Sequence, residues 1–408
     1  MSRGCGALRA VWASSHATDA RALRARVSQA KASGRLAKSA LLGVRQDAAF
    51  RQALSSLILA ATAGHLPVRS CADTLWAVGA LHADTGAMTE QMEALATALC
   101  ACVDKDLRGG FDVAVGSLAD AAFALASGRH VHRGMFDRLL SVAALRTSPL
   151  GSAGADTVCT LLYASAVLCD PAQGVTAAVA QVIAAAGPRL STWKPRQLAL
   201  ALWSLAVADL ETSEAFARCW DELCHRAENV AAKLLLPPLA LTQLAQASFS
   251  APSGLPPLPQ RLHSAMHSAW VSRVDVETQK ASRPSARQRQ MEAALRSLGI
   301  RLTAEAVVPP FGYRVDFSTL TASGTAVLVE YDGHAHFPRN LAPPCAPLGA
   351  TRLKRKQLLS SGHMLLSVPY YDWETDNLAA HFSGDVETRR VEYLRKHLQA
   401  LDQLGQLS

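Results

Sequence analysis

The sequence predicts an α-solenoid of helical-hairpin repeats followed by a small α/β domain. Three observations lead there. Five Ala- and Leu-rich segments each place a large residue before Ala or Ser, and these anchors, Trp76, Phe123, Tyr163, Trp203 and Leu244, are spaced by 47, 40, 40 and 41 residues. Runs of β-branched residues are almost absent from this part, so a period near forty means paired helices that each bury one face on the next repeat. From Ala286 onward the pattern changes, and helical stretches alternate with short β-rich runs.

Composition bounds the function classes. Of 408 residues, 50% are hydrophobic and 18% charged, with apolar runs broken every few residues by polar side chains. Neither a disordered chain nor a membrane span fits that pattern. Nine cysteines without a CxxC pair read as scattered reduced thiols, which disfavours a disulfide framework and a zinc site. The net charge of +8 is concentrated in residues 1–46, which hold nine Lys/Arg and the single acid Asp19. An Arg-, Ala- and Ser-rich, acid-poor start without a long apolar stretch is the composition of an organellar transit peptide. A disordered basic tail that binds nucleic acid or an acidic partner would have the same composition. The other 362 residues carry 32 charges of each sign, so nucleic-acid binding there must come from local patches.

Residues 47–250 form the repeat region. Partner helices lie between the anchors, over Gln91 to Cys102 and Gly174 to Ala186, with breaks at Gly109-Gly110, Pro171, Pro188 and Pro237-Pro238. The anchors read as core residues, and small neighbours let the helices approach around them. Arg196, Gln197, Gln243 and Gln246 are polar candidates for an inner surface, since stacked helical pairs are suited to reading single-stranded RNA. Residues 251–285, with five prolines and a basic, polar run beginning at Arg273, read as a linker with one short helix near Arg261 to Val271.

The last region spans 286–406. An amphipathic helix over Arg287 to Leu298 stops at Gly299, and strands are expected over Ile300 to Val308, Tyr313 to Thr319 and Ala326 to Tyr331. A basic helix from Ala350 to Ser361, a strand from His363 to Pro369 and a final helix from Val386 to Leu401 complete an α/β order on a mixed sheet.

Four motifs in this order carry a resemblance: Val327-Leu-Val-Glu-Tyr-Asp-Gly-His-Ala-His-Phe337, Gly349-Ala-Thr-Arg-Leu-Lys-Arg-Lys-Gln-Leu-Leu359, Gly362-His-Met-Leu-Leu-Ser-Val-Pro-Tyr-Tyr-Asp-Trp373 and Arg390-Val-Glu-Tyr-Leu394. Together they resemble a RAP domain, a family named for RNA binding and abundance in apicomplexans, which includes FAST-kinase-like mitochondrial proteins and algal organellar RNA factors. The Leu-Trp-Ala repeats resemble the heptatricopeptide- or octotricopeptide-type repeats that precede such domains. The resemblance implies an RNA-binding factor of the mitochondrial matrix or the plastid, acting in RNA processing, stability or translation. Single-stranded RNA is its implied partner, with ribonucleoprotein or ribosomal components as further ones.

RAP domains are in turn similar to the restriction-endonuclease-like PD-(D/E)xK fold, whose enzymes hold a divalent cation between carboxylates on neighbouring strands. By that resemblance Asp316 and Glu330 take the metal-binding positions, and Asp332 stands where the usual motif has Lys. A nuclease would use Asp316, Glu330 and Asp332 with His336 as base and Mg²⁺ as cofactor. Otherwise no cofactor is expected, and the fold serves as an RNA-binding surface. There Asp316 and Glu330 are satisfied by Arg352 or Lys354, Asp332-Gly333 is a turn, and the run Arg352, Lys354, Arg355 and Lys356 faces the phosphate backbone. A third alternative is a scaffold for ribonucleoprotein assembly. No Gly-rich phosphate loop, Ser/His/Asp signature, or haem or flavin motif is present.

Overall fold

A computed structural model describes residues 3–33, 37–85, 88–108, 115–145, 153–168, 187–229, 236–280, 284–320 and 326–405. The chain is mostly helical, with a four-stranded mixed sheet in its C-terminal part. No described helix is long and apolar enough to cross a membrane. The chain divides into two units, Met1–Leu223 with Pro338–Leu341, and Cys224–Phe337 with Ala342–Ser408.

The first unit is built from helices α1 (Arg3–Ala32), α2 (Ala37–Gln46), α3 (Ala48–Thr62), α4 (Val68–Thr85), α5 (Thr89–Arg108), α6 (Val115–Gly128), α7 (Arg133–Leu145), α8 (Ala155–Leu168) and α9 (Pro195–Val207). One row runs α1, α4, α6, α8, α9, and α3, α5 and α7 form a second row beside it. Local chemistry sets the starts: Asp47 caps α3 by accepting from Phe50 N at 2.8 Å, and Pro195 opens α9. Small residues bring the row together. A Cβ on Gly79 would lie 2.6 Å from the carbonyl oxygen of Ala124, so α4 and α6 cross backbone to backbone there.

The described part of residues 1–46 folds as α1 and α2. Ala20, Leu23, Val27 and Ala30 are buried as α1 packs on α3 and α4. Arg24 bonds both Asp73 and Asp120 at 2.6 Å, and Arg26 bonds Asp47 at 2.7 Å. Pro338–Leu341 adds to this unit through Asn340, whose side chain bonds both N and O of Val131 at 2.8 Å. The expected partner helix over Gly174 to Ala186, and the breaks at Gly109-Gly110 and Pro171, lie outside the described residues.

Helix α10 (Glu214–Asn229) spans the division. The second unit contains α11 (Pro238–Ser248), α12 (Gln260–Lys280), α13 (Ala286–Ser297), β1 (Leu302–Val308), β2 (Tyr313–Leu320), β3 (Ala326–Asp332), α14 (Gly349–Ser360), β4 (Met364–Pro369), α15 (Tyr370–Trp373), α16 (Thr375–His381) and α17 (Val386–Gly405). The fifth anchor, Leu244 on α11, is fully buried in this unit. The proline-rich stretch read as a linker holds a helix of 21 residues, and Leu262, Met266 and Trp270 of α12 are buried.

The sheet order is β1-β2-β3-β4, antiparallel except for the parallel β3–β4 pair. Strand alternation sorts the side chains. Phe317, Val327, Val329, Leu366 and Val368 form a core with Met291 and Leu295 of α13 and Tyr393, Leu394 and Leu398 of α17. Glu330, Asp332 and Ser367 have the opposite parity and meet the basic helix α14.

Candidate functional site

The acids on the α14 side of the sheet each have partners of their own. One step beyond the Phe317–Val329 pair, Asp316 lies across from Glu330. Oδ1 of Asp316 accepts from Gln288 Nε2 at 2.6 Å, and Oδ2 accepts from Tyr331 N at 2.7 Å. Gln288 belongs to a capping box with Ser285, so Asp316 ties the start of α13 to the sheet.

Glu330 is paired with Lys354 at 2.7 Å, and the same ammonium donates to the carbonyl of Arg314 at 2.6 Å. Burial outweighs that attraction and, with the nearby Asp316 and Asp332 charges, pushes the Glu330 carboxyl up to about 7. Asp332 is almost wholly buried and accepts from Arg355 at 2.5 Å and from the Ser367 hydroxyl. His336 approaches Asp332 at 3.3 Å and Thr351 Oγ1 at 2.9 Å. Burial holds its imidazole below the ordinary value, although Asp332 opposes that shift.

The structure therefore brings Glu330, Asp332 and His336 close to α14, where Glu330 is held by Lys354 while Asp332 is shared by Arg355, Ser367 and His336. Among the described residues no three His, Cys, Asp or Glu side chains are grouped so that they could hold one metal ion. The donors that occupy Asp316, Glu330 and Asp332 are protein groups, and this set does not fit a shared Mg²⁺ ion. Lys354 and Arg355 direct their charge into the unit. Arg352 and Lys356 are half-buried on the same helix.

Beside Lys354 opens a cleft of about 240 Å³, lined by Gln246, Trp270, Arg273, Tyr313, Glu330 and His336 among others. The Tyr313 hydroxyl donates to Gln357 Oε1 at 2.6 Å, and Gln357 Nε2 donates to the carbonyl of Gln246 at 2.6 Å. Trp270 Nε1 donates to the carbonyl of Phe311 at 2.8 Å. Sequence reasoning missed Gln288, Gln357, Tyr313 and Trp270. The Ser285-x-x-Gln288 capping box was a readable signal for the first, whereas the others depend on non-local packing.

In the first unit the repeat anchors line up. Tyr163 lies between Phe123 and Trp203, with ring centroids 6.0 and 5.9 Å away. The expectation that the aromatics are core needs correction. Trp203 is 4% exposed, but Trp76, Phe123 and Tyr163 are only half-buried. The residues that follow them, Ala77, Ala124 and Ala164, take the helix crossings and leave the rings at the edge of the buried stripe. Arg24 and Lys31 lie over Trp76 at 4.9 and 5.4 Å, and Arg69 and Arg196 are exposed on the same helices.

The described chain is thus mostly helical, consistent with helical repeats followed by a small α/β domain, and the sheet-face carboxylates Asp316, Glu330 and Asp332 are bonded by protein groups. No protein-family profile matches the chain. It is similar to a RAP domain-containing chloroplastic protein of Oryza sativa subsp. japonica, with 38% identity over 93 residues. That match covers 21% of this chain and 11% of the length of the rice protein.

Proposed function

We propose that this protein is an organellar RNA-binding factor whose helical repeats contact single-stranded RNA while a RAP-type domain, residues 286–406 with a restriction-endonuclease-like fold, clamps it without cutting. The chloroplastic designation of the rice relative favours the plastid as the compartment. RNA processing, stability and translation are the activities such a factor serves.

One observation carries the reading: the row of half-buried rings at Trp76, Phe123 and Tyr163, one per repeat, with exposed Arg69 on the helix of Trp76, beside Asp73, and exposed Arg196 on the next helix of the row, beside Asp156. Bases stack on aromatic rings and arginines meet the phosphates, which is the chemistry of single-strand binding. The separate partners of the three acids, a lysine for Glu330, an arginine for Asp332 and neutral donors for Asp316, favour binding over hydrolysis.

Titration of the full chain with single-stranded oligoribonucleotides tests this. Tyr163→Ala and Phe123→Ala should each weaken binding about tenfold, within the range of one lost stacking contact, while circular dichroism stays unchanged. Folded variants that bind as tightly as the parent would overturn the proposed surface. Mg²⁺-dependent RNA cleavage that disappears in Asp316→Asn would replace the clamp with a nuclease.

A further inference from the structure

Arg390 on α17 is 7% exposed, and its guanidinium lies 5.4 Å from the ring centre of the fully buried Trp373. Buried guanidinium groups are normally held by carboxylates or carbonyls, because removing the charge from water is costly. Arg314 and Arg355 follow that rule: each buries Nε without an acceptor but pairs a terminal nitrogen with Glu305 or Asp332. Arg390 differs from both. Its Nε is buried without an acceptor, and no carboxylate forms an ion pair with it among the described residues. Glu387, one turn earlier, attracts it from beyond bonding distance, and Arg287 repels it. Trp373 Nε1 is a second buried donor without an acceptor in the same part of the unit.

Arg390 lines a cleft of about 700 Å³ between α13 and α17, together with Arg289, Gln290, Ala293, Thr388 and Arg395. Of the acids at this cleft, Asp385 accepts from Thr388 N at 2.8 Å and Glu392 is paired with Arg395. Glu387, three residues before Arg390, is exposed. A buried planar fork of donors, an exposed arginine beside it and hydroxyl and amide groups on the walls suit a tetrahedral oxyanion.

We propose that the α13–α17 cleft is a phosphate-binding site with Arg390 as its anchor. The phosphate chemistry stands on the cleft itself. That the phosphate belongs to an RNA backbone rests on the function proposed above.

Thermal melting of the full chain in inorganic phosphate, against chloride at matched ionic strength, tests the site. The parent should be stabilised in a saturable way, and the effect should be lost in Arg390→Gln. Ala293→Glu, an exposed wall position that places a carboxylate at the site, should lose it too, and serves if Arg390→Gln does not fold. No stabilisation of the parent, or equal stabilisation of parent and Ala293→Glu, would overturn the proposal. RNA binding separates the sources. If Arg390→Gln lowers the slope of log affinity against log salt by about 0.7, one backbone phosphate sits there. If phosphate stabilises as expected but RNA binding is unchanged, the site stands and takes a free or small-molecule phosphate.

Discussion

Lys354 holds its ammonium 2.7 Å from Glu330, yet the Glu330 carboxyl titrates near 7 because burial costs its anion more than the lysine returns. The folded-state value is raised from 4.5, so the folded chain binds the extra proton between about 4.5 and 7. This stabilising contribution is complete below the lower value and is lost as pH rises through the upper one. Glu330→Gln should therefore flatten the decline in stability between pH 5 and 8, by up to about 3 kcal/mol. Urea unfolding across that range measures it, and an unchanged pH profile would refute the assignment.

Arg24→Ala should destabilise the first unit by about 2 kcal/mol. Asp73 is almost fully buried and would keep only Arg69, at 3.3 Å. Deleting residues 1–46 should cost more, since it also removes the apolar face of α1 from the repeat core. Limited proteolysis of the deleted chain should show the α3–α6 region cut earlier than in the parent. Equal resistance would mean that the basic helix is dispensable to the fold.

Trp203→Ala should cost about 3–5 kcal/mol, as expected for a large buried aromatic. Trp76→Ala, at a half-buried ring, should cost distinctly less. Thermal melting of the two variants side by side checks the order, and the reverse order would contradict the burial difference.

Gln357→Leu should destabilise the second unit by about 2–3 kcal/mol. The side chain is buried and joins Tyr313, the carbonyl of Gln246 and Ser250 at 2.6 to 2.7 Å. Leucine fills the space but leaves those groups without partners. Hydrogen exchange at α11 would rise in the variant, and unchanged protection would argue against a role for the network.

The sequence by itself determined what depends on local repetition. The forty-residue period marked the helix row through Trp203, and strand alternation placed Glu330 and Asp332 on one face of β3. Both follow from covalent geometry, which sets 3.6 residues per helical turn and two per strand repeat. The S-x-x-Q capping box at Ser285 was equally local and readable.

Only the tertiary structure decided which charge meets which. Lys354 reaches Glu330 across 24 residues because α14 crosses β3 and β4 in one particular setting, and Arg24 reaches Asp120 across 96 because α1 joins the helix row. Neither pairing is encoded in a period. The same holds for the rings of Trp76, Phe123 and Tyr163, which share a repeat position with Trp203 but differ from it in burial, because exposure depends on how closely neighbouring helices cross. A motif identifies side chains able to hold a metal or a phosphate. Packing decides whether protein donors have already claimed them, as at Asp316, Glu330 and Asp332, or whether a buried cation such as Arg390 is left facing a cleft.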